Sequence, residues 1–281
     1  MPDRRHHSNP NLVRLESLTY IFHFTPPMTY NFEAKYRSDV DVRPTRYFKW
    51  KPYLERPLAA VLFVLLLPLM FVIGVLVKLT SRGPAVYAQV RTGRYGEPFT
   101  MYKFRSMRVD AEARTGAVWC VRNDPRVTQV GWWLRKLHLD ELPQLWNVLK
   151  GEMSFVGPRP ERPEIITVLV DEVPGYLDRL AVKPGVTGLA QINLPPDQSI
   201  EDVCRKQQLD IEYIQTANLW LDLRAMAATA LRMIGISGET TIKLLRLRRR
   251  PWDDDAKRVP METREPVESH ALADDQSSVG V

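Results

Sequence analysis

The hydrophobic pattern divides the 281-residue chain into stretches of unlike character. Residues 1–50 mix Arg, His, Pro and Tyr with apolar positions at no sustained period, which predicts an irregular extension with at most a short element at residues 12–24. Residues 57–77 then form an uncharged apolar run, PLAAVLFVLLLPLMFVIGVLV. At a rise of ~1.5 Å per residue this run is about long enough to cross the hydrocarbon core of a bilayer. Pro68, near its middle, removes a backbone hydrogen bond and crowds the preceding turn, which predicts a kink or break. Two geometries are open: a kinked helix that spans, or a re-entrant one that enters and leaves by the same face. Lys49, Lys51 and Arg56 precede the run, and Lys78 and Arg82 follow it. Cations at both ends mark both as cytoplasmic and favour the re-entrant form.

Beyond the run, β-prone pieces separated by glycines at residues 81–96 predict a small hairpin, and Met101-Tyr102-Lys103-Phe104-Arg105 a further extended piece. Asp124-Pro125 marks a turn, and residues 130–136 read as the start of a helix. Residues 142–149 are predicted helical, with Pro143 tolerated in the first turn. Gly157-Pro158-Arg159-Pro160 must be a loop, because two prolines flank the arginine. Pro184-Gly185-Val186-Thr187-Gly188 reads as another turn. Residues 200–233 are predicted helical in one or two segments, with Trp220, Leu221, Leu223, Met226 and Ala227 along an apolar stripe. The tail beyond Pro251 is polar and acidic, and disorder is expected there. The pattern predicts a helix-rich α+β fold. Its parts are an extension (1–50), a membrane helix region broken at the proline (51–80), a folded domain (81–236) and a basic then acidic tail (237–281).

Charge adds a location. The net charge is +6, unevenly spread. Residues 1–56 hold ten Lys/Arg against six Asp/Glu, residues 78–114 eight against three, and residues beyond 250 three against eight. Basic flanks around an apolar run suit anionic headgroups or phosphorylated substrates. Nucleic acid is not supported, since no zinc-finger spacing or RNP-like aromatic motif is present. Cys120 and Cys204 form neither a CxxC nor a disulfide framework, which fits a reducing compartment. The apolar run starts too late, and without a small-residue cleavage pattern, to be a removable signal peptide.

The candidate chemistry is concentrated between residues 139 and 160. Adjacent Asp140 and Glu141 point roughly 100° apart on a helix and cannot act as one bidentate clamp. One could attack phosphorus while the other holds a divalent cation; alternatively the pair merely complements a helix N-terminus. Arg159 leaves a backbone stiffened by Pro158 and Pro160, suited to a phosphate or planar partner, or is a surface arginine in a stiff linker. Lys103 and Arg105 share one face if extended, as a phosphate pair or a solvated strand face. His138 could be a general base, or a packed or capping histidine. Neither GxxxxGK[ST] nor HExxH occurs, and no Cys/His metal cluster.

The order of these pieces closely resembles the bacterial sugar transferase family of monotopic phosphoglycosyl transferases. The resemblance is carried by Gly83-Pro84, Gln89-x-Arg91-x-Gly93 and Tyr102-Lys103-Phe104-Arg105-Ser106-Met107. It continues through Asp124-Pro125-Arg126-Val127-Thr128, Leu134-Arg135-Lys136, the 139–160 stretch and Pro184-Gly185-Val186-Thr187-Gly188-Leu189-Ala190-Gln191. It covers roughly residues 51–235. The resemblance implies that Asp140 attacks the sugar-bearing phosphorus of a UDP-sugar, releasing UMP and leaving a covalent aspartyl phosphosugar. Undecaprenyl phosphate or a similar polyprenol phosphate in the bilayer then accepts the phosphosugar. Glu141 would coordinate Mg²⁺, Pro158-Arg159-Pro160 would help hold the nucleotide, and Lys103 and Arg105 match positions near the phosphates. The implied setting is the cytoplasmic face of a bacterial inner membrane, at the first step of exopolysaccharide or another surface glycan, with amphipathic helices around Trp220 at the interface.

Two departures touch the membrane region. Leu67-Pro68 stands where members often carry Ser-Pro, so no hydroxyl can satisfy a carbonyl freed by the proline. Glu55-Arg56-Pro57-Leu58-Ala59 replaces a Lys-Arg-x-x-Asp pattern. The short N-terminal extension predicts a short-form member, without the spanning helices that long forms add in front. A conventional glycosyltransferase releasing UDP and a non-catalytic membrane scaffold are the competing functions.

Overall fold

A computed structural model describes residues 42–109, 111, 124–197 and 199–249. The expected element at residues 12–24, Cys120 and the acidic tail beyond Pro251 lie outside the described residues. Helix α1 (Tyr47–Thr80) is followed by strands β1 (Val86–Thr92) and β2 (Pro98–Phe104), then helices α2 (Gln129–Lys136) and α3 (Gln144–Lys150). Strand β3 (Ser154–Val156), α4 (Pro163–Glu172), β4 (Gly185–Thr187), α5 (Leu189–Asn193), α6 (Ile200–Thr216), α7 (Leu219–Met233) and α8 (Gly238–Leu244) follow, with 3-10 turns at Arg94–Gly96, Leu139–Glu141 and Tyr176–Ala181. This is the helix-rich α+β arrangement that the pattern predicts.

Several boundaries are corrected. Helix α1 begins at Tyr47, inside the stretch read as irregular, and runs without interruption through Pro52, Pro57 and Pro68. Pro68 therefore costs the Val64 carbonyl its intrahelical donor without breaking the helical path. Gly185–Thr187, read as a turn, is a strand paired in parallel with β3, Ser154 opposite Gly185 and Val156 opposite Thr187. Three residues, one of them glycine, are too few to carry a strand pattern, and tertiary pairing makes the strand. Residues 238–244, placed in the tail, form α8, with the Ser237 hydroxyl capping the Thr240 N–H.

The remaining elements follow local rules. β1 and β2 form an antiparallel hairpin with Val86 opposite Phe104. Thr128 caps α2, accepting from the Gly131 N–H at 2.9 Å. Pro143 sits at the N-cap of α3, and Gly151 ends it in the left-handed conformation (φ 81°). Residues 200–233 divide into α6 and α7, because the Asn218 side chain accepts from the Leu221 N–H and starts a new helix.

One stripe of α1 packs against the domain along the whole helix. Ala59, with Leu62 and Phe63, joins the cluster around Leu145, Val156 and Tyr213. Met70, Ile73 and Val77 join a second cluster with Phe104, Leu134 and Leu142. These positions recur every three or four residues, which is a helical face. The opposite face leaves Val61, Val64, Leu65, Phe71 and Val72 exposed.

The N-terminal end of α1 is fixed by buried charge. The Lys51 ammonium, 2% exposed, donates to the Val156 carbonyl and the Tyr213 hydroxyl, both at 2.6 Å, and pairs with Asp222 at 2.7 Å. One turn on, Glu55 accepts from the Ser154 hydroxyl at 2.7 Å and the Phe155 N–H at 2.8 Å. Removing one partner of a buried ion pair leaves the other charge dehydrated and uncompensated. Lys51→Met is expected to destabilise the protein by about 3 kcal/mol, read as a fall in Tm in detergent, and Lys51→Met/Asp222→Leu to recover much of that loss.

Candidate active site

Asp140 and Glu141 lie on a 3-10 turn, Leu139–Glu141, between α2 and α3. His138, ahead of it, adopts a left-handed conformation (φ 52°) that reverses the chain as it leaves α2. It is exposed and makes no capping hydrogen bond, so it is neither the packed nor the capping histidine expected. Leu139 and Leu142 pack with Phe104 and Leu134. That packing fixes the turn and leaves Asp140 only 8% exposed. At ~3 residues per turn, adjacent side chains diverge by about 120°. The two acids therefore meet different surroundings.

Glu141 Oε1 accepts from Lys103 Nζ at 2.9 Å and from Arg159 Nη2 at 3.1 Å. β2 delivers the lysine, and the loop after β3 the arginine. Three of the sequence-predicted residues thus meet at one oxygen. Burial alone would raise the Glu141 carboxyl, but Lys103 and Arg159 outweigh it and hold it at about 2. Asp140 moves the other way. Burial and the neighbouring Glu141 charge raise it above the usual aspartate range, only partly offset by Lys103, Arg135 and Arg159. Burial lowers the Lys103 ammonium despite Glu141, and the Glu141 charge raises Arg159.

The Pro158-Arg159-Pro160 loop is pinned by its carbonyls. Pro158 and Pro160 have no N–H to give, so only their carbonyls can anchor their backbone. The Gly185 N–H donates to the Pro158 carbonyl at 2.8 Å, Arg179 to the Arg159 carbonyl at 3.0 Å, and Arg91 to the Pro160 carbonyl at 3.1 Å. Arg91 is itself oriented by Gln89 Oε1 at 2.6 Å, and Arg179 pairs with Asp210 at 2.7 Å. Pro158 and Pro160 are buried while Arg159 projects outward. Arg91 and Arg179 are site-building residues that sequence reasoning missed. Arg91 had a signal, since it sits in the Gln89-x-Arg91-x-Gly93 motif; Arg179 had none.

Arg105 is not brought to this cluster. It is 6% exposed and donates to the Ser81 carbonyl at 2.9 Å, the Ser81 hydroxyl at 2.8 Å and the Pro84 carbonyl. Its backbone still continues the hairpin, the Arg105 N–H donating to the Ala85 carbonyl at 2.9 Å, but the oxygens of Ser81 and Pro84 take its side chain. Its guanidinium instead ties down the segment leaving α1.

Residues 46–235 match the profile of the bacterial sugar transferase family. The chain belongs to that family. Its matched part takes in α1 and ends after α7, so α8 lies beyond it. The chain is 43% identical over 182 residues to the undecaprenyl-phosphate glucose phosphotransferase of Komagataeibacter xylinus, covering 63% of this chain and 34% of that protein. It is 44% identical over 167 residues to the UDP-N-acetylgalactosamine-undecaprenyl-phosphate N-acetylgalactosaminephosphotransferase of Aeromonas hydrophila, covering 59% of this chain and 39% of the relative. It is 40% identical over 181 residues to the UDP-glucose:undecaprenyl-phosphate glucose-1-phosphate transferase of Caulobacter vibrioides, covering 64% and 67%. The chain thus spans between a third and two fifths of the length of several longer relatives.

For this bacterial sugar transferase, the β3–β4 crossing is the tightest support of the arginine loop. A Cβ on Gly157 would lie 2.6 Å from the Lys183 carbonyl oxygen and 2.9 Å from the Gly185 nitrogen, both backbone atoms. Gly157→Ala is expected to destabilise the protein by roughly 1–3 kcal/mol, as overpacking of a rigid contact does. Thermal unfolding of the purified variant checks this.

Proposed function

We propose that the chain transfers a phosphosugar from a UDP-sugar to a membrane polyprenol phosphate, undecaprenyl phosphate in the cell, through a covalent intermediate on Asp140. The observation that carries the proposal is the division of labour in the acid pair. Both cations go to Glu141, while Asp140 sits buried beside them. An Asp140 carboxylate oxygen forms a bond to the sugar-bearing phosphorus, the bond to the bridging oxygen breaks, and UMP leaves with the electron pair. A phosphate oxygen of the polyprenol phosphate then attacks the same phosphorus. The Asp140–phosphorus bond breaks, giving polyprenyl diphosphate sugar and free carboxylate.

Lys103, mostly buried, and Arg159, on its pinned loop, are already oriented by Glu141, so they can stabilise the diphosphate oxygens with little rearrangement. Glu141 keeps them in place before substrate arrives. Arg105 is left out of the phosphate-contacting set. Among the described residues no group of three His, Cys, Asp or Glu side chains could hold a metal ion. Mg²⁺ does not need one, since it is commonly held by one or two carboxylates together with substrate phosphates and water. The adjacent acids fit that donor set, with Glu141 as the proposed ligand, and Mg²⁺ would supply neutralisation of the diphosphate charge. The names of the relatives, two carrying glucose and one N-acetylgalactosamine, support the reaction class while leaving the sugar unassigned.

Helix α1 is long and apolar enough to cross a membrane. Its contact stripe runs from Lys51 to Val77 on one domain, so both basic flanks lie beside that domain. This favours a helix that keeps both ends on one side of the bilayer, embedded by its exposed apolar face. Trp220, 65% exposed on α7, and the exposed Trp132 and Trp133 on α2 are suited to the headgroup level. The proposed location is the cytoplasmic face of a bacterial inner membrane, where a soluble nucleotide sugar and a lipid phosphate can reach one carboxylate. Initiation of exopolysaccharide or another surface glycan is the setting.

With UDP-sugars, Mg²⁺ and polyprenol phosphate, the nucleotide product is expected to be UMP; UDP would indicate a conventional glycosyltransferase. Asp140→Asn is expected to lose at least about 10³-fold in turnover. Full turnover in that variant would reject the covalent route, and a scaffold role would leave function untouched by it. In the pH profile of kcat/KM, the acidic limb is expected above the ordinary aspartate range, because Asp140 must lose a proton that burial and Glu141 help it keep. Lys103→Met removes a charge that favours the Asp140 carboxylate, so its residual activity should show the limb displaced to still higher pH.

A further inference from the structure

A cavity of about 540 Å³ opens where α5, the end of α7 and α8 meet. None of its lining residues belongs to the Asp140 site, and half of it is built from residues beyond the family match, which ends at residue 235. Arg232, Lys243, Arg248 and Arg249 line it against one carboxylate, Glu239. Lys243 pairs with Glu239 at 2.9 Å and Arg249 with Glu212 at 2.5 Å. Among the described residues Arg232 donates only to carbonyls, those of Ile192 at 2.9 Å and Gln191 at 3.4 Å. Its guanidinium is partly buried, and burial lowers its pKa with no carboxylate opposing the effect. Among the described residues no carboxylate pairs with this cation, and an anionic ligand can supply the counter-charge.

The shape and the rest of the wall narrow the ligand. The volume falls in the range of small-molecule sites, well above what one inorganic ion fills. Ile192 and Ile242 give it an apolar side. Beside it in the chain, Ile234 and Leu244 are 74% and 67% exposed. We propose that this cavity binds the phosphodiester headgroup of an anionic phospholipid, Arg232 and Arg248 meeting the phosphate and the exposed apolar residues meeting the acyl chains. The site is separate from the transferase reading and stands or falls without it. Gly238 supplies a specific handle, since a Cβ there would lie 2.4 Å from Arg232 Nη2 and displace the guanidinium.

The test is calorimetric titration of the full chain in nonionic detergent with water-soluble dihexanoyl phosphatidylglycerol, dihexanoyl phosphatidylcholine and glycerol 3-phosphate. The phosphatidylglycerol is expected to bind at least about tenfold more tightly than either of the others. Gly238→Ala is expected to weaken it about tenfold. Arg232 also bonds the backbone, so Lys243→Gln/Arg248→Gln, two exposed positions, provides a second variant that leaves those carbonyl bonds intact and is expected to weaken it similarly. Equal binding of the two lipids, or unchanged phosphatidylglycerol affinity in both variants, would overturn the site. Glycerol 3-phosphate binding as tightly as the lipid would overturn the lipid assignment in favour of a soluble phosphate ester.

Discussion

The Lys51 ammonium is the contact on which the arrangement turns. It is dehydrated almost completely, and such a cation is tolerated only where its donors are matched and its charge is opposed. Asp222 opposes the charge, while the Val156 carbonyl and the Tyr213 hydroxyl take its hydrogen bonds. Tyr213 in turn donates to Asp222 at 2.7 Å, and Tyr47 to the same carboxylate at 2.9 Å. One side chain on the apolar helix thereby holds α6, α7 and β3 in register. Hydrophobic contact could hold these elements together, but its lack of direction would permit sliding. A buried ion pair has one satisfactory geometry.

That geometry reaches the active site over a short stretch of chain. Val156 is the last residue of β3, and Gly157 begins the loop that carries Arg159. Glu55 secures the first two residues of the same strand. Beyond the strand, β4 takes over through the Gly185 N–H, and then Arg179 and Arg91 hold successive carbonyls. The loop arginine is thus fixed by backbone anchors at each of its neighbours while its own side chain remains available. This is how a site on a loop can be as well positioned as one on a regular element.

Much of this was legible in the sequence, for reasons that differ by element. The apolar run and the helical character of residues 200–233 follow from composition and period, which are local, whereas the hairpin expected within residues 81–96 pairs Val86–Thr92 with the Pro98–Phe104 piece read as separate. The acid pair and the Pro-Arg-Pro loop were weak signals singly, since adjacent acids recur at 171–172, 201–202 and 253–255, and it was the order of the motifs that singled them out. The parallel pairing of Gly185–Thr187 was not legible, since three residues led by a glycine take their strand from a partner elsewhere. Alternation put Arg105 beside Lys103, but the oxygens of Ser81 and Pro84, more than twenty residues away in sequence, take its guanidinium. Ala59, where resembling sequences carry aspartate, is fully buried in an apolar cluster, and the buried charges of α1 come earlier at Lys51 and Glu55.

The acid pair shows why neighbouring residues of like chemistry need unlike surroundings. Two carboxylates in one buried turn repel, and if both were equally solvated neither would be distinguished from the other. Placing Lys103 and Arg159 on Glu141 fixes its charge far below neutral pH. The same fixed charge, with burial, raises Asp140, so that its carboxylate is the less stabilised of the two. An incoming diphosphate needs cations, and those cations are held one residue away from the group proposed to attack. Were the ion pairs made by Asp140 instead, its lone pairs would be committed to cations before substrate arrived. The 3-10 geometry of the turn prevents this by pointing the two side chains into separate environments, and the left-handed His138 at its start lets the chain reverse into that turn.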